Sequence, residues 1–81
     1  MFKVYLLYSV SHDSFYIGFT ADMEKRLIQH NEGLTKSTKS KRPWKVVYTE
    51  DFISELEAIR RERFFKAQKN KSFYKKLSGL L

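Results

Sequence analysis

The 81 residues predict one small domain over 1–81 and exclude a large buried core. Apolar residues at 42% fit a globular protein rather than a disordered one, and the absence of cysteine excludes disulfides, thiolate zinc sites and a cysteine nucleophile. Sixteen Lys and Arg against nine Asp and Glu leave a net charge of +7, a balance that favours a polyanionic partner.

His12 and His30 are the only histidines, too few for a common zinc site. The apolar start, Met1 to Val10, is short, carries Lys3 and is followed by no signal-cleavage pattern. No stretch approaches the ~18 apolar residues of a membrane span. The expectation is a cytoplasmic protein with no membrane partner. The aromatic content of 16% serves equally for core packing and for base stacking, so composition does not choose between them.

Lys3–Tyr8 is β-branched and aromatic and predicts a strand. Val10–Ser14 is polar and turn-like, and Phe15–Phe19 predicts a second strand that pairs with the first as an antiparallel hairpin. Side chains alternate between sheet faces, so the economical arrangement puts Tyr5, Tyr16 and Gly18 on one face. Gly18 then leaves space beside Tyr16. A helix follows, capped by Asp22 or Thr20 and ended by Gly33, with Met23, Leu27 and Leu34 as its apolar stripe. Arg26 and His30 are four apart and share a face.

Residues 34–43 carry Lys36, Lys39, Lys41 and Arg42 among hydroxyl side chains and predict an exposed loop closed by Pro43. Trp44–Thr49 predicts a third strand. Ser54 and Glu57 form a capping-box signature, and a long helix is expected from there to about Lys69. Asn70 and Lys71 break the pattern. Ser72 can cap a last helix whose buried side would be Phe73, Leu77 and Leu80. The result is an α+β fold in β-β-α-β-α-α order, a three-stranded antiparallel sheet flanked by helices.

Glu62 lies mid-helix, flanked around the helix circumference by Ala58, Ile59, Phe65 and Lys66. That neighbourhood turns its carboxylate toward the sheet, which is costly unless the group meets a cation or hydrogen-bond donors. Pairing with Lys66 one turn on is the simplest satisfaction. Tyr5 and Tyr16 could equally be an ordinary cross-strand pair, and Lys36 to Arg42 an ordinary solvated loop.

As an ordered set, these residues resemble the GIY-YIG superfamily, which includes intron homing endonucleases and the incision subunit of bacterial excision repair. Tyr16-Ile17-Gly18 stands eleven positions after Tyr5 in Lys3-Val4-Tyr5, Arg26 follows ten after Tyr16, and Arg61-Glu62 lies on the next long helix. The stretches Arg26-Leu27 with His30-Asn31 and Gly33, Ser37-Thr38-Lys39, Arg42-Pro43-Trp44 and Glu57-Ala58 resemble the small single-domain bacterial members. The likeness runs from about residue 3 to 77. Two positions depart from it: the first motif lacks its glycine, and Phe19 stands where many family nucleases carry a lysine. Asn70 is the candidate match for a late asparagine found in some relatives.

The resemblance implies a metal-dependent endonuclease that hydrolyses phosphodiester bonds, with DNA favoured as substrate. Glu62 would hold one divalent ion, Mg²⁺ or Mn²⁺, completed by water. Tyr16 would be the general base or position the water, with Tyr5 assisting, and Arg26 would contact the scissile phosphate. Arg26 and the ion would favour phenolate by charge. His30 would be a second base or orient Tyr5. Lys36, Lys39, Lys41 and Arg42 would follow the nucleic-acid backbone without reading its sequence. The alternative is a nucleic-acid-binding module with weak or absent catalysis, in one version dependent on a partner protein.

Overall fold

The apolar run Val4–Leu7 is buried on both faces, as only a central strand can be. It forms the middle of β1 (Phe2–Ser9), flanked antiparallel by β2 (Ser14–Thr20) and β3 (Lys45–Phe52) in the order β2-β1-β3. The computed structural model describes residues 1–80. The expectation of one domain over 1–81 includes Leu81, which lies outside the described residues. The helices are α1 (Met23–Asn31), α2 (Glu55–Gln68) and α3 (Lys71–Leu77), with a 3-10 turn at Lys39–Lys41. The order is β-β-α-β-α-α, as the sequence predicts.

Register places Tyr5 opposite Gly18 and Leu7 opposite Tyr16, so the expected sharing of a face holds. That face packs Tyr5, Leu7 and Trp44 with Tyr16, Met23, Leu27 and Val46. The other packs Val4, Leu6 and Ile17 against Ala58 and Phe65 of α2 and Tyr74 of α3. A one-residue irregularity between Leu6 and Leu7 in the β1–β3 pairing lets Val47 and Tyr48 both reach the second cluster.

Both ends of α1 follow from sequence chemistry. Asp22 caps it, Oδ1 accepting from the Lys25 N–H at 3.1 Å, while Thr20 Oγ1 accepts from the Asp22 N–H at 3.1 Å one step earlier. Gly33 ends it at φ +78°, its N–H reaching the His30 carbonyl at 3.2 Å and that of Leu34 reaching Gln29 at 3.0 Å. This left-handed turn throws Leu34 outward, 69% exposed, so it is not part of the apolar stripe as expected. Asn31 then joins α1 to β3, its side chain accepting from the Trp44 N–H at 2.6 Å and donating to the Trp44 carbonyl at 3.0 Å.

On the opposite face, Ser54 caps α2, Oγ accepting from the Glu57 N–H at 3.4 Å. Arg61 sets the phase of the helix. Its guanidinium donates to both Glu50 oxygens on β3, at 2.8 and 3.1 Å, and lies 4.5 Å from the Phe65 ring centroid. Tyr48 donates to the same carboxylate at 2.5 Å.

The last helix departs from expectation at both ends. Lys69 takes the left-handed conformation at φ +46°, and the sharp turn makes Asn70, not Ser72, the cap, its Oδ1 accepting from the Phe73 N–H at 3.2 Å. Lys71 is therefore the first helical residue rather than a breaker. Tyr74 takes the core position, its hydroxyl donating to the Phe65 carbonyl at 2.6 Å. Phe73 and Leu77 are half-buried, and Leu80 lies past the helix, exposed.

The Arg61–Glu50 pair has a pH signature. Hydrogen bonding from Arg61 lowers the Glu50 pKa, so its contribution is present above the ordinary carboxylate range and is lost as pH falls through the depressed value. Glu50→Gln should cost roughly 1–2 kcal/mol at pH 7 and flatten the fall in stability below pH ~4.5. Urea unfolding at stepped pH checks both; an unchanged acid limb would contradict this role.

Candidate active site

Tyr5 reaches its position because Gly18 faces it across the hairpin. A Cβ at Gly18 would overlap the Tyr5 hydroxyl, so the ring crosses its neighbour strand only over glycine. The rings of Tyr5 and Tyr16 then lie 6.5 Å apart by centroid, with the His30 ring 5.9 Å from Tyr5 and 5.0 Å from Tyr16. Tyr5 is 2% exposed, whereas Tyr16 is half-buried and open to solvent on one side.

His30 is fully buried, and both ring nitrogens are satisfied. Nε2 lies 3.0 Å from the Tyr5 hydroxyl and Nδ1 2.8 Å from Thr38 Oγ1. Thr38 Oγ1 donates onward to the Thr35 carbonyl at 3.3 Å. A hydroxyl has one proton, so Thr38 must accept from His30. Nδ1 therefore carries the imidazole proton, and Nε2 accepts from Tyr5. Burial first, then the Arg26 charge, lower the His30 pKa to about 4, so the ring is neutral at pH 7. Burial also raises the Tyr5 pKa, outweighing the opposing hydrogen bond and charge of Arg26. Arg26 thus acts on Tyr5 in the expected direction, favouring phenolate, but desolvation is the larger effect and keeps the phenol protonated.

Arg26 sits half-buried one turn before His30, its Nη1 donating to Gln29 Oε1 at 3.1 Å. Among the described residues no carboxylate lies within ion-pair distance of it. It is an uncompensated cation whose charge is felt at the Tyr5 phenol. Glu62 approaches from α2. Its side chain is 16% exposed, and its charge is felt at Tyr5. Lys66 Nζ stands 3.7 Å from Oε1, the pairing expected one turn on, and among the described residues the carboxylate accepts no hydrogen bond. The structure thus brings Tyr5, Tyr16, Arg26 and His30 together and turns Glu62 toward them.

The first tyrosine motif, the Tyr-Ile-Gly motif, the helical arginine and the glutamate all lie within one matched stretch, since residues 1–77 fit the family model for the GIY-YIG catalytic domain. The chain belongs to the GIY-YIG family. It is 44% identical over 57 residues to a UPF0213 protein of Streptococcus pneumoniae, covering 69% of this chain but 58% of that one. It is 42% identical over 67 residues to a UPF0213 protein of Listeria innocua, covering 79% and 74%. The solution structure of a UPF0213 protein from Bacillus halodurans superposes with a TM-score of 0.57 at 32% identity, over 99% of this chain and 85% of that one. The chain therefore spans a little over half of the Streptococcus relative. No helix among the described residues is long and apolar enough to cross a membrane.

The basic loop does not act as one unit. Lys39 and Arg42 converge beside Gly33, where their side chains are the nearest atoms to a Cβ built there. Lys41 is half-buried and turned elsewhere, its carbonyl accepting from Ser9 Oγ at 2.7 Å. Lys36 is exposed. Thr38, expected to be solvated, is fully buried. Its Oγ1 receives His30, and its carbonyl accepts from Trp44 Nε1 at 2.9 Å. Thr38 and Trp44 are thus the supports that residue-type reasoning passed over, because a hydroxyl between lysines looks like surface. Phe19 packs on the α2 face with Val4 and Ile17. Asn70, the candidate late asparagine, is occupied as a helix cap.

Among the described residues no three His, Asp or Glu side chains converge as a metal cage. Glu62 is the carboxylate turned toward this site, a hard oxygen donor whose one charged neighbour among the described residues is Lys66 at 3.7 Å. That donor set fits an ion that keeps most of its waters.

A histidine kept neutral by burial contributes stability that is complete above its unfolded pKa and is lost as pH falls toward the folded value. With protonation near 4 instead of 6.5, unfolding free energy should drop by on the order of 2–3 kcal/mol between those pH values. His30→Gln should be less stable at pH 7 and lack most of this slope. A slope above pH 4.5 that survives the substitution would assign it to another group.

Proposed function

We infer that this GIY-YIG domain is a metal-dependent endonuclease that cleaves phosphodiester bonds, with DNA as the favoured substrate. The observation that carries this reading is the uncompensated Arg26 acting on Tyr5, whose ring packs beside Tyr16, with the charge of a half-buried, under-coordinated Glu62 felt at the same phenol. Arg26 binds the scissile phosphate, where a planar fork can contact two oxygens. Tyr16, the phenol that is part-exposed, orients the attacking water and takes its proton as phenolate, having first released its own proton to solvent. Glu62 holds Mg²⁺ or Mn²⁺. Such an ion, when bound, supplies Lewis-acid stabilisation of the leaving 3′ oxygen.

His30 had two readings, base or positioning residue. Its proton affinity favours the second. A ring that protonates only near 4 is a weak acceptor at neutral pH, and Tyr5 already occupies its lone pair. His30 therefore holds Tyr5 with the hydroxyl proton pointed inward, leaving the Tyr5 oxygen to accept, with Arg26 as one donor. Lys36, Lys39 and Arg42 lie on the exposed side of the same loop and would contact backbone phosphates without reading sequence.

A second reading, a nucleic-acid-binding module with weak catalysis, is favoured by Phe19, which leaves the position after the Tyr-Ile-Gly motif without a cation. Incubation with duplex, single-stranded and branched DNA and with RNA, in Mg²⁺, Mn²⁺ or EDTA, separates them. The nuclease reading predicts metal-dependent cleavage reduced at least ~100-fold by Glu62→Ala and by Tyr16→Phe. Binding with no product in any metal would establish the module reading, and cleavage that persists in EDTA would contradict the role of Glu62.

A further inference from the structure

We propose that the cleft between the basic loop and the α2–α3 turn is a second phosphate-backbone site, which holds nucleic acid at the hairpin end of β2 while the tyrosines act further along the strand. The proposal deepens the nuclease reading and rests on it for the identity of the ligand. The cleft has a volume of about 270 Å³ and is walled by Ser14 and Phe15 of β2, Lys41 of the loop, Lys69 of the turn, and Lys71 and Tyr74 of α3. Its cations come from two segments far apart in sequence, so helical or loop periodicity does not account for their convergence.

The charge balance is one-sided. Asp13 is the acidic group at this end, and it is already engaged: Tyr8 donates to it at 2.7 Å, and Lys71 and Lys75 lie 3.4 and 3.2 Å away. Among the described residues, Lys41 and Lys69 have no carboxylate within ion-pair distance. Two ammonium groups therefore share Asp13, and the two with no carboxylate partner belong to residues that line the cleft. The backbone of each residue is fixed. Lys41 is fixed by the Ser9 hydroxyl on its carbonyl at 2.7 Å. Lys69 is fixed in a left-handed turn at φ +46°, its N–H donating to the Tyr74 hydroxyl at 3.2 Å. A pair of cations with no counter-ion, carried on fixed backbone, suits a phosphodiester backbone.

Position adds the reach. β2 is an edge strand, with Ser14 at the cleft and Gly18 under Tyr5. Four residues of strand span ~13 Å. At ~3.4 Å of rise per nucleotide along one strand, that is about four nucleotides. A backbone laid along the β2 edge would meet Arg26 at one end and Lys41 and Lys69 at the other.

The test is equilibrium binding, not cleavage. Fluorescence anisotropy of a labelled duplex of about 12 base pairs in EDTA would be followed across a salt series for the wild type, Lys41→Ala/Lys69→Ala and Lys76→Ala. The double variant should lower the log–log salt slope by about two and weaken binding roughly tenfold or more at low salt. Lys76, exposed on α3, serves as the comparator for charge loss alone and should change the slope by less than one. A mononucleotide or inorganic phosphate competing only at millimolar concentration would fit a backbone site. An unchanged slope in the double variant, with melting temperatures matched, would overturn the proposal. So would equal effects of Lys76→Ala, or micromolar competition by a mononucleotide, which would make the cleft a small-molecule pocket. Because no cleavage is read, loss of the nuclease reading would leave these outcomes intact, and a failed cleft would leave metal-dependent cleavage intact.

Discussion

One buried imidazole organises the working face. His30 has no exposed surface and two ring nitrogens to satisfy, and an unsatisfied buried polar atom costs on the order of 1–3 kcal/mol. Its two bonds reach a central-strand tyrosine on one side and the basic loop on the other. The loop is held in turn by Trp44, which stands at the head of β3 and is clasped by Asn31 at the end of α1. Helix, loop and two strands are thus joined through neutral hydrogen bonds with defined donors. Arg26, one turn earlier on the same helix, takes its place from that arrangement.

The second constraint is steric. Tyr5 lies in the middle strand, and its hydroxyl reaches the site only by passing over Gly18. This is the reason for a glycine in the second motif, and it needs no special backbone angle there: the missing side chain is the requirement. The opposite face contributes through α2, whose rotation is set by the Arg61–Glu50 fork and by the stacking of Arg61 on Phe65. That phase turns the neighbouring Glu62 inward. The adjacency of Arg61 and Glu62 therefore has a division of labour: one residue fixes the helix so that the other can present a carboxylate.

Much of this was legible in the sequence, for physical reasons that differ by element. Strand alternation placed Tyr5, Tyr16 and Gly18 together because the hairpin leaves little freedom of register. Asp22, Gly33 and Ser54 mark helix ends by side-chain chemistry, and each does what its type predicts. The failures fall where tertiary contacts override local type. Ser72 looks like a cap, but the turn at Lys69 hands that role to Asn70. Leu34 and Leu80 have core side chains but lie just past helix ends, where the chain turns outward. Thr38 sits among lysines yet is buried, because its value is to a histidine eight residues away. The division of the basic loop, with Lys39 and Arg42 on one side and Lys41 on the other, depends on the Ser9 bond to the Lys41 carbonyl, which no local pattern reveals.

The account rests on the direction of the proton between Tyr5 and His30. Nitrogen-15 NMR of the His30 ring at pH 7 reads it directly. The predicted spectrum is that of a neutral ring protonated at Nδ1, with Nε2 in the range of a hydrogen-bonded acceptor, and a shift of that signal in Tyr5→Phe. An imidazolium, or a ring protonated at Nε2, would reverse the hydrogen-bond chain from Thr38 to Tyr5 and contradict the proposed placement of the two phenols.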